Sequence, residues 1–185
     1  MKKILIIAPI SSLSNRPRLY KFSRFFNLKG FDIIFWSWYR ENESYEENLG
    51  FQLKEKKNIL KTKQVSGLIL YFQYIIWFIK LIFKLFLNNN IKNIIICSMG
   101  FETSLAVFIV SRFKKITYIY DDPDNFSKVL RLPKYIKLLI EKIEKTISEN
   151  SFQHIIPGYE RYSFSNKKQL IIKNFPSESD VINAK

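Results

Sequence analysis

The feature that most constrains this chain is its opening run. Lys3-Ile-Leu-Ile-Ile-Ala8 is apolar at every position after the lysine, with no alternation between faces. A strand with one solvated face alternates, so a run of this kind is buried on both sides, as in the centre of a parallel sheet. Such a strand needs helices above and below it.

The sequence supplies them in turn. Ser14 or Asn15 caps a helix with Pro17 in its first turn, where a missing N–H costs nothing, and Gly30 stops it. Phe31 to Trp38 reads as a second strand. Residues 40–63 read as a polar, irregular loop with a short strand near Phe51 to Leu53. A long helix covers Lys63 to Leu87, then come a strand at Asn93 to Ser98, a helix at Phe101 to Phe113 and a strand at Ile116 to Asp121. The helix from Lys134 to Asn150 places Ile136, Ile140, Ile143 and Ile147 on one face, and Gln153 to Ile156 and Gln169 to Lys173 close the series as short strands. This alternation predicts one α/β domain with a doubly wound, mostly parallel, Rossmann-like sheet of at least five strands and right-handed crossovers.

The 185 residues suit one well-cored domain, and the single Cys97 and single His154 leave no material for a disulfide framework, a zinc site or a Cys/His nucleophile pair. One buried thiol fits a reducing cytosol. The basic, apolar start is too short for a signal peptide and no small-residue cleavage site follows it. The formal net charge of +14 favours polyanionic partners: nucleic acid, anionic lipid headgroups or phosphate-bearing substrates. No nucleic-acid-binding motif is present, and the aromatics sit in apolar runs and not between the lysines, so nucleic acid ranks last of these.

In open α/β sheets ligands bind outside the carboxyl ends of the strands. That directs attention to Pro9 to Arg18, Ser98 to Thr103, Asp121 to Ser127 and Pro157 to Arg161. The densest cluster is Tyr120-Asp-Asp-Pro-Asp-Asn125. Its carboxylates suit sugar hydroxyls, which they bind as fixed acceptors. The same letters contain an Asp-x-Asp of the kind that holds a metal–diphosphate, and Asp-rich turns also arise because Asp and Asn bond their own backbone.

Taken in order, these elements resemble the N-terminal, acceptor-binding domain of a family 4-like GT-B glycosyltransferase. Those enzymes open with a hydrophobic strand, a Ser-Asn-x-Pro-Arg-x-x-Lys-like loop and a helix ending in Gly; here stand Ser14-Asn-Arg-Pro-Arg-Leu-Tyr-Lys21 and Gly30. They carry a Tyr-Asp-x-His-Asp-Asn-like segment after a middle strand, where this chain has residues 120–125. A basic amphipathic helix and an Asn-Phe-Pro-like crossing follow, matched by Arg131 to Glu149 and Asn174-Phe175-Pro176. The resemblance implies that Asp121, Asp124, Asn125 and Glu102 contact an acceptor sugar. It also implies that Asn15, Arg16 and Arg18, at a helix N-terminus, face phosphate of donor or lipid carrier. It implies no metal and no cofactor, the nucleotide-sugar donor being a substrate, and leaving-group charge is then stabilised electrostatically. Pro123 stands where that family usually places a His near the transferred sugar. Glu141 and Glu149 have the family's donor-site spacing but read as solvated charges on an outward helix face.

The helix to Leu87 is the other informative segment. From Val65 to Leu87, Ser66, Gln73, Lys80 and Lys84 fall within about 20° of one line, and everything else in that stretch is apolar. An apolar arc of only about 100° suffices to cover a sheet, so part of this one must meet a second apolar surface. Lys54, Lys56, Lys57, Lys61 and Lys63 precede it; from Lys54 to Lys92 eight lysines face one glutamate, a net of +7. This predicts an in-plane interfacial helix on an anionic membrane, touching it through Lys54, Lys56, Lys57, Lys61, Trp77, Lys80 and Lys84. A helix sandwiched in a dimer or against a further domain would show the same pattern.

The expectation is therefore a domain over residues 1–176, with 177–185 beginning a linker towards a donor-binding domain or separate subunit. It acts on a lipid-linked or glycan acceptor in bacterial cell-surface glycan synthesis, in the cytoplasm, peripherally on the inner membrane face. It is inactive alone. The alternative is a non-catalytic membrane-tethering subunit that docks a donor-binding protein.

Overall fold

The structure, a computed structural model, describes residues 2–41, 49–129 and 133–172. Seven strands form one sheet, all neighbours parallel, in the order β3-β2-β1-β4-β5-β6-β7. They are β1 (Lys3–Ala8), β2 (Asp32–Glu41), β3 (Glu55–Lys63), β4 (Ile95–Met99), β5 (Thr117–Asp121), β6 (Gln153–Ile156) and β7 (Gln169–Ile171). The helices are α1 (Pro17–Leu28), α2 (Leu68–Leu87), α3 (Phe101–Ser111), α4 (Phe126–Val129) and α5 (Lys134–Asn150). The doubly wound α/β fold is as the sequence predicts. Strand order reverses direction between β1 and β4, whose registers join at Ile4 opposite Ile95. That switch point opens a crevice at the carboxyl ends of the two strands.

The two faces of the sheet are covered unequally. Leu5 and Ile7 of β1, Trp36 and Trp38 of β2, Ile96 of β4 and Tyr118 and Tyr120 of β5 look towards α2, α3 and α5. Trp38 and Trp77 stack at 6.0 Å and 17° in the middle of that layer. On the other face Ile4, Ile6, Phe35 and Cys97 meet α1 and the segment 49–53.

Three expectations need correction. Residues 55–63 are not loop: β3 pairs with β2 from Ile34–Glu55 to Glu41–Lys63, across a register shift at Ser37/Trp38. An edge strand has one solvated side, so polar letters are tolerated and conceal it. The long helix starts at Leu68, after Gly67 at φ 65°, and not at Lys63, because β3 uses that residue. Trp77 is 0% exposed and faces the core, its Nε1 donating to Thr103 Oγ1 at 3.4 Å, so it is no membrane contact. Strand β7 closes at Ile171; the Asn174-Phe175-Pro176 crossing and residues 177–185 lie outside the described residues.

Around α2, the line of Gln73 and Lys84 turns towards β3: Gln73 Oε1 accepts from Thr62 Oγ1 at 3.2 Å, and contact with Lys57 holds Lys84 below its ordinary pKa. Lys54, Lys56, Lys57, Lys61 and Lys80 are exposed. The side of α2 away from Trp77 carries Ile69, Phe72, Ile76, Ile79 and Phe83, all exposed.

Candidate functional site

The acidic loop leaves the end of β5, and the two-residue period of the strand decides where its carboxylates go. Asp121 points to the α1 face and Asp122 to the α5 face. Asp121, 2% exposed, sits with Oδ1 2.6 Å from Arg18 Nη2. Arg18 also donates through Nη1 to Ile172 O at 3.4 Å, so one guanidinium ties α1, β5 and the chain after β7 together. Burial pushes the Asp121 carboxyl up to about 6, with the Arg18 charge pulling against it.

Asp122 enters a buried polar cluster. It accepts from Tyr162 Oη at 2.7 Å and lies 3.9 Å from His154 Nε2. His154 stacks on Tyr120 at 4.5 Å and 4°, and its Nδ1 is 2.8 Å from Ser148 Oγ, to which Asn166 Nδ2 donates at 2.5 Å. Burial first, then the Asp122 charge, raises the Tyr120 and Tyr162 hydroxyls. Glu144 of α5, also buried, accepts from Phe126 N at 2.8 Å, and burial followed by the Asp122 charge pushes it up to about 7.

The rest of the loop faces outward. Asp124 is exposed and pairs with Arg161 at 2.6 Å. Asn125 is buried, its Oδ1 accepting from Ser127 Oγ at 2.6 Å and Lys128 N at 3.1 Å, which caps α4. Asp122 turns inward and Asp124 outward, so the Asp-x-Asp pair does not converge. Among the described residues no group of three or more His, Cys, Asp or Glu is placed to hold a metal.

A cleft of about 450 Å³ runs over the switch point, lined by Arg16, Arg40, Glu102 and Asp124 together with Leu70, Tyr71 and Tyr74 of α2, the Arg40 guanidinium lying 6.0 Å from the Tyr74 ring. A smaller one of about 280 Å³ adjoins it through Arg16, Met99, Pro123 and Asp124, and reaches Arg18, Asp121 and Arg161. Glu102 stands in the first turn of α3 after Gly100, whose φ of 83° favours glycine, and burial raises its pKa. Arg40 lies over the Trp38 ring at 4.2 Å.

Arg16, Glu102 and Asp124 are thus brought together. Asp121 and Arg18, assigned to different ligands, neutralise each other, and Asn125 serves a helix cap. The side chain of Asn15 lies outside the described ones. Arg161 falls in the segment Pro157 to Arg161 that the strand-end rule points to, whereas Arg40, Tyr74 and the buried partners of Asp122 have no such sequence signal. Extending the second strand to Arg40 would have flagged that residue, since the rule about carboxyl ends then applies to it. His154 and Glu144 carried no signal.

No family model and no curated protein matches the chain. Among solved structures it is similar to sucrose-phosphate synthase from Thermosynechococcus elongatus, a GT-B glycosyltransferase. The TM-score is 0.61 and the identity 10%, over 94% of this chain and 48% of that one. The fold is glycosyltransferase-like. A domain of the same synthase, made of its stretches 27–220 and 406–426, superposes with TM-score 0.61 and 11% identity, covering 99% of this chain and 94% of the domain. The chain spans about half the length of the whole synthase, and at such identity the likeness is one of fold.

Proposed function

We propose that this chain is the acceptor-side domain of a glycosyltransferase, family 4-like in type, which builds a lipid-linked or cell-surface glycan on the cytoplasmic face of a bacterial membrane. The observation that carries the reading is the cleft over the switch point. Arg16, Arg40, Glu102 and Asp124 give it charged donors and acceptors for hydroxyls and phosphate, while Tyr71 and Tyr74 offer apolar faces for a sugar ring. Leu70 and Tyr71 bring the cleft to the first turns of α2, whose exposed apolar side continues from there, and Lys84 of that helix lies beside Lys57 of β3. An acceptor with a polar head and an apolar tail fits such a path, and an anionic membrane fits the lysines. Donor chemistry is expected from a second polypeptide unit. The two-stretch domain of the synthase supports a reading in which a later stretch of polypeptide completes this domain as well.

The second reading, a tethering subunit without chemistry, is favoured by the engagement of Asp121 with Arg18 and of Asn125 with α4. One experiment separates the two. Transfer from a nucleotide-sugar to a lipid-linked acceptor is assayed with this chain plus a donor-binding half. Turnover is expected from the pair and not from this chain alone. Asp124→Asn is expected to raise acceptor KM several-fold, with kcat changing less if the carboxylate only binds the acceptor. A pair that transfers sugar equally well with Asp124→Asn and Glu102→Gln together would end the acceptor assignment.

A further inference from the structure

The geometry points to a second ligand site, at the amino ends of the strands, that takes a phosphate monoester carrying an apolar group. It does not rest on the function proposed above. Helix α2 runs back from the end of β3, so its last turn comes down beside the first residues of β1, β2 and β3. That end of the sheet is opposite the cleft. It holds a cavity of about 380 Å³, a size that accommodates small ligands. Leu5, Trp36 and Ile94, all buried, give the cavity apolar lining. Glu55 and Lys57 of β3, with Lys84 and Asn88 at the end of α2, give it polar lining.

Two ammonium groups meet at this cavity without a counterion. Contact with Lys57, and then its charge, hold Lys84 below its ordinary pKa. Neither lysine forms an ion pair among the described residues. Glu55, two residues before Lys57 on β3, attracts Lys84 without pairing with it. Like charges this close repel, and a ligand that neutralises both removes the cost. A carboxylate or a phosphodiester brings a single charge. A phosphate monoester brings about −1.5 to −2 and three acceptor oxygens, which suits two ammoniums side by side. Asn88 adds a neutral donor, because its Oδ1 accepts from Asn90 N at 3.0 Å and leaves Nδ2 to donate. The carbonyls at the end of α2, which would repel an anion, are engaged by Lys114: its Nζ donates to those of Leu85, Phe86 and Asn88. Inorganic phosphate leaves the apolar lining wet, so the ester's apolar group supplies the rest of the fit.

The probe is octyl phosphate below its micelle concentration. Octyl sulfate, the same tail on a single charge, and inorganic phosphate are the controls. Titration calorimetry on the whole chain is expected to show octyl phosphate bound at least about tenfold more tightly than either. Lys57→Met and Lys84→Met are expected to weaken its binding at least about tenfold each, and Lys54→Met and Lys80→Met, outside the cavity, to leave it unchanged. Glu55→Gln removes the one acid that lines the cavity among the described residues. It is expected to tighten binding several-fold, a gain that damage to the fold does not produce. Vesicles then separate the two sources of such an ester. A preference for phosphatidic acid over phosphatidylglycerol at equal surface charge, abolished by Lys84→Met, assigns the site to a lipid headgroup. Octyl phosphate binding without that preference assigns it to a soluble ester. The proposal is overturned if octyl phosphate does not bind, if octyl sulfate binds equally well, or if Lys57→Met and Lys84→Met bind as tightly as the unaltered chain. The cleft at the carboxyl ends shares none of these residues, so acceptor binding there succeeds or fails independently.

Discussion

Helices α2 and α5 lie on the same face of the sheet, and they use their two sides in opposite ways. The inward side of α2 is wholly apolar, through Trp77, Leu81 and Leu85. Its outward side is apolar as well, with Phe72, Ile76, Ile79 and Phe83 exposed. The inward side of α5 buries Glu144 and Ser148 beside Ile147, while its outward side mixes Lys142, Lys145 and Glu149 with Tyr135, Leu138 and Leu139 near its start. Helix α2 is held mainly by that apolar layer, with Trp77 donating to Thr103 and Thr62 donating to Gln73 on its inward and β3-facing sides, so its outer surface is free to serve something other than the fold. Helix α5 is held partly by polar contacts that also position the acidic loop, so its inward side serves stability and site together.

That contrast can be broken at either helix. Trp77→Ala removes the centre of the α2 layer and its stack on Trp38, and is expected to cost about 3–5 kcal/mol in denaturant unfolding. A loss under 1 kcal/mol would mean that α2 is not held by that stripe. Next in size is membrane binding. Replacing Lys54, Lys56, Lys57 and Lys61 by Glu is expected to abolish sedimentation with anionic vesicles, at about 1 kcal/mol for each cation lost, and high salt is expected to release the unaltered chain. Equal binding to neutral vesicles would assign the lysines another purpose.

On α5 the test is one of pH. The folded Glu144 has its pKa raised from 4.5 to about 7, so the folded state holds that proton more tightly than the unfolded chain does. Its contribution favours the fold below pH 4.5 and is lost as pH rises to about 7, on the order of 1–3 kcal/mol. Asp121, raised from 3.8 to about 6, adds a slope of the same sign. Glu144→Gln keeps the acceptor for Phe126 N and is expected to flatten the fall in Tm between pH 5 and 8. An unchanged profile would remove Glu144 as its source. The smallest effect is expected on the outside of α2, where Phe72→Ser or Ile76→Ser shifts stability by no more than about 0.5 kcal/mol. The same variants reduce vesicle binding if that side meets lipid.

The sequence disclosed what periodicity encodes. Strands β1, β4 and β5 are apolar on both faces and were legible for that reason, as was the reach of α5 from its isoleucine spacing. Strand β3 was not, since an edge strand rich in lysine has the letters of a loop until its partner is known. The acidic loop was located correctly from its place at the end of β5. Its internal division was invisible, because Arg18 lies more than a hundred residues from Asp121 in the chain and His154, Tyr162 and Glu144 meet only in three dimensions. Trp77 shows the limit of a helical wheel: it identifies an apolar arc too wide for one partner but not which part of that arc the sheet takes.

The edge position of β3 has a consequence for how the chain behaves at high concentration. A parallel edge strand offers unpaired backbone groups to any extended segment that meets it, and long apolar edges nucleate aggregation. Lys56, Lys57, Lys61 and Lys63 are exposed along this border, so two copies approaching edge to edge would bring their ammonium groups into register and repel. The lysines that suit an anionic surface also keep the sheet from growing. Reversing their sign preserves that repulsion, whereas exchanging them for threonine or valine would yield a protein whose failure to bind vesicles could not be told from its loss to fibres.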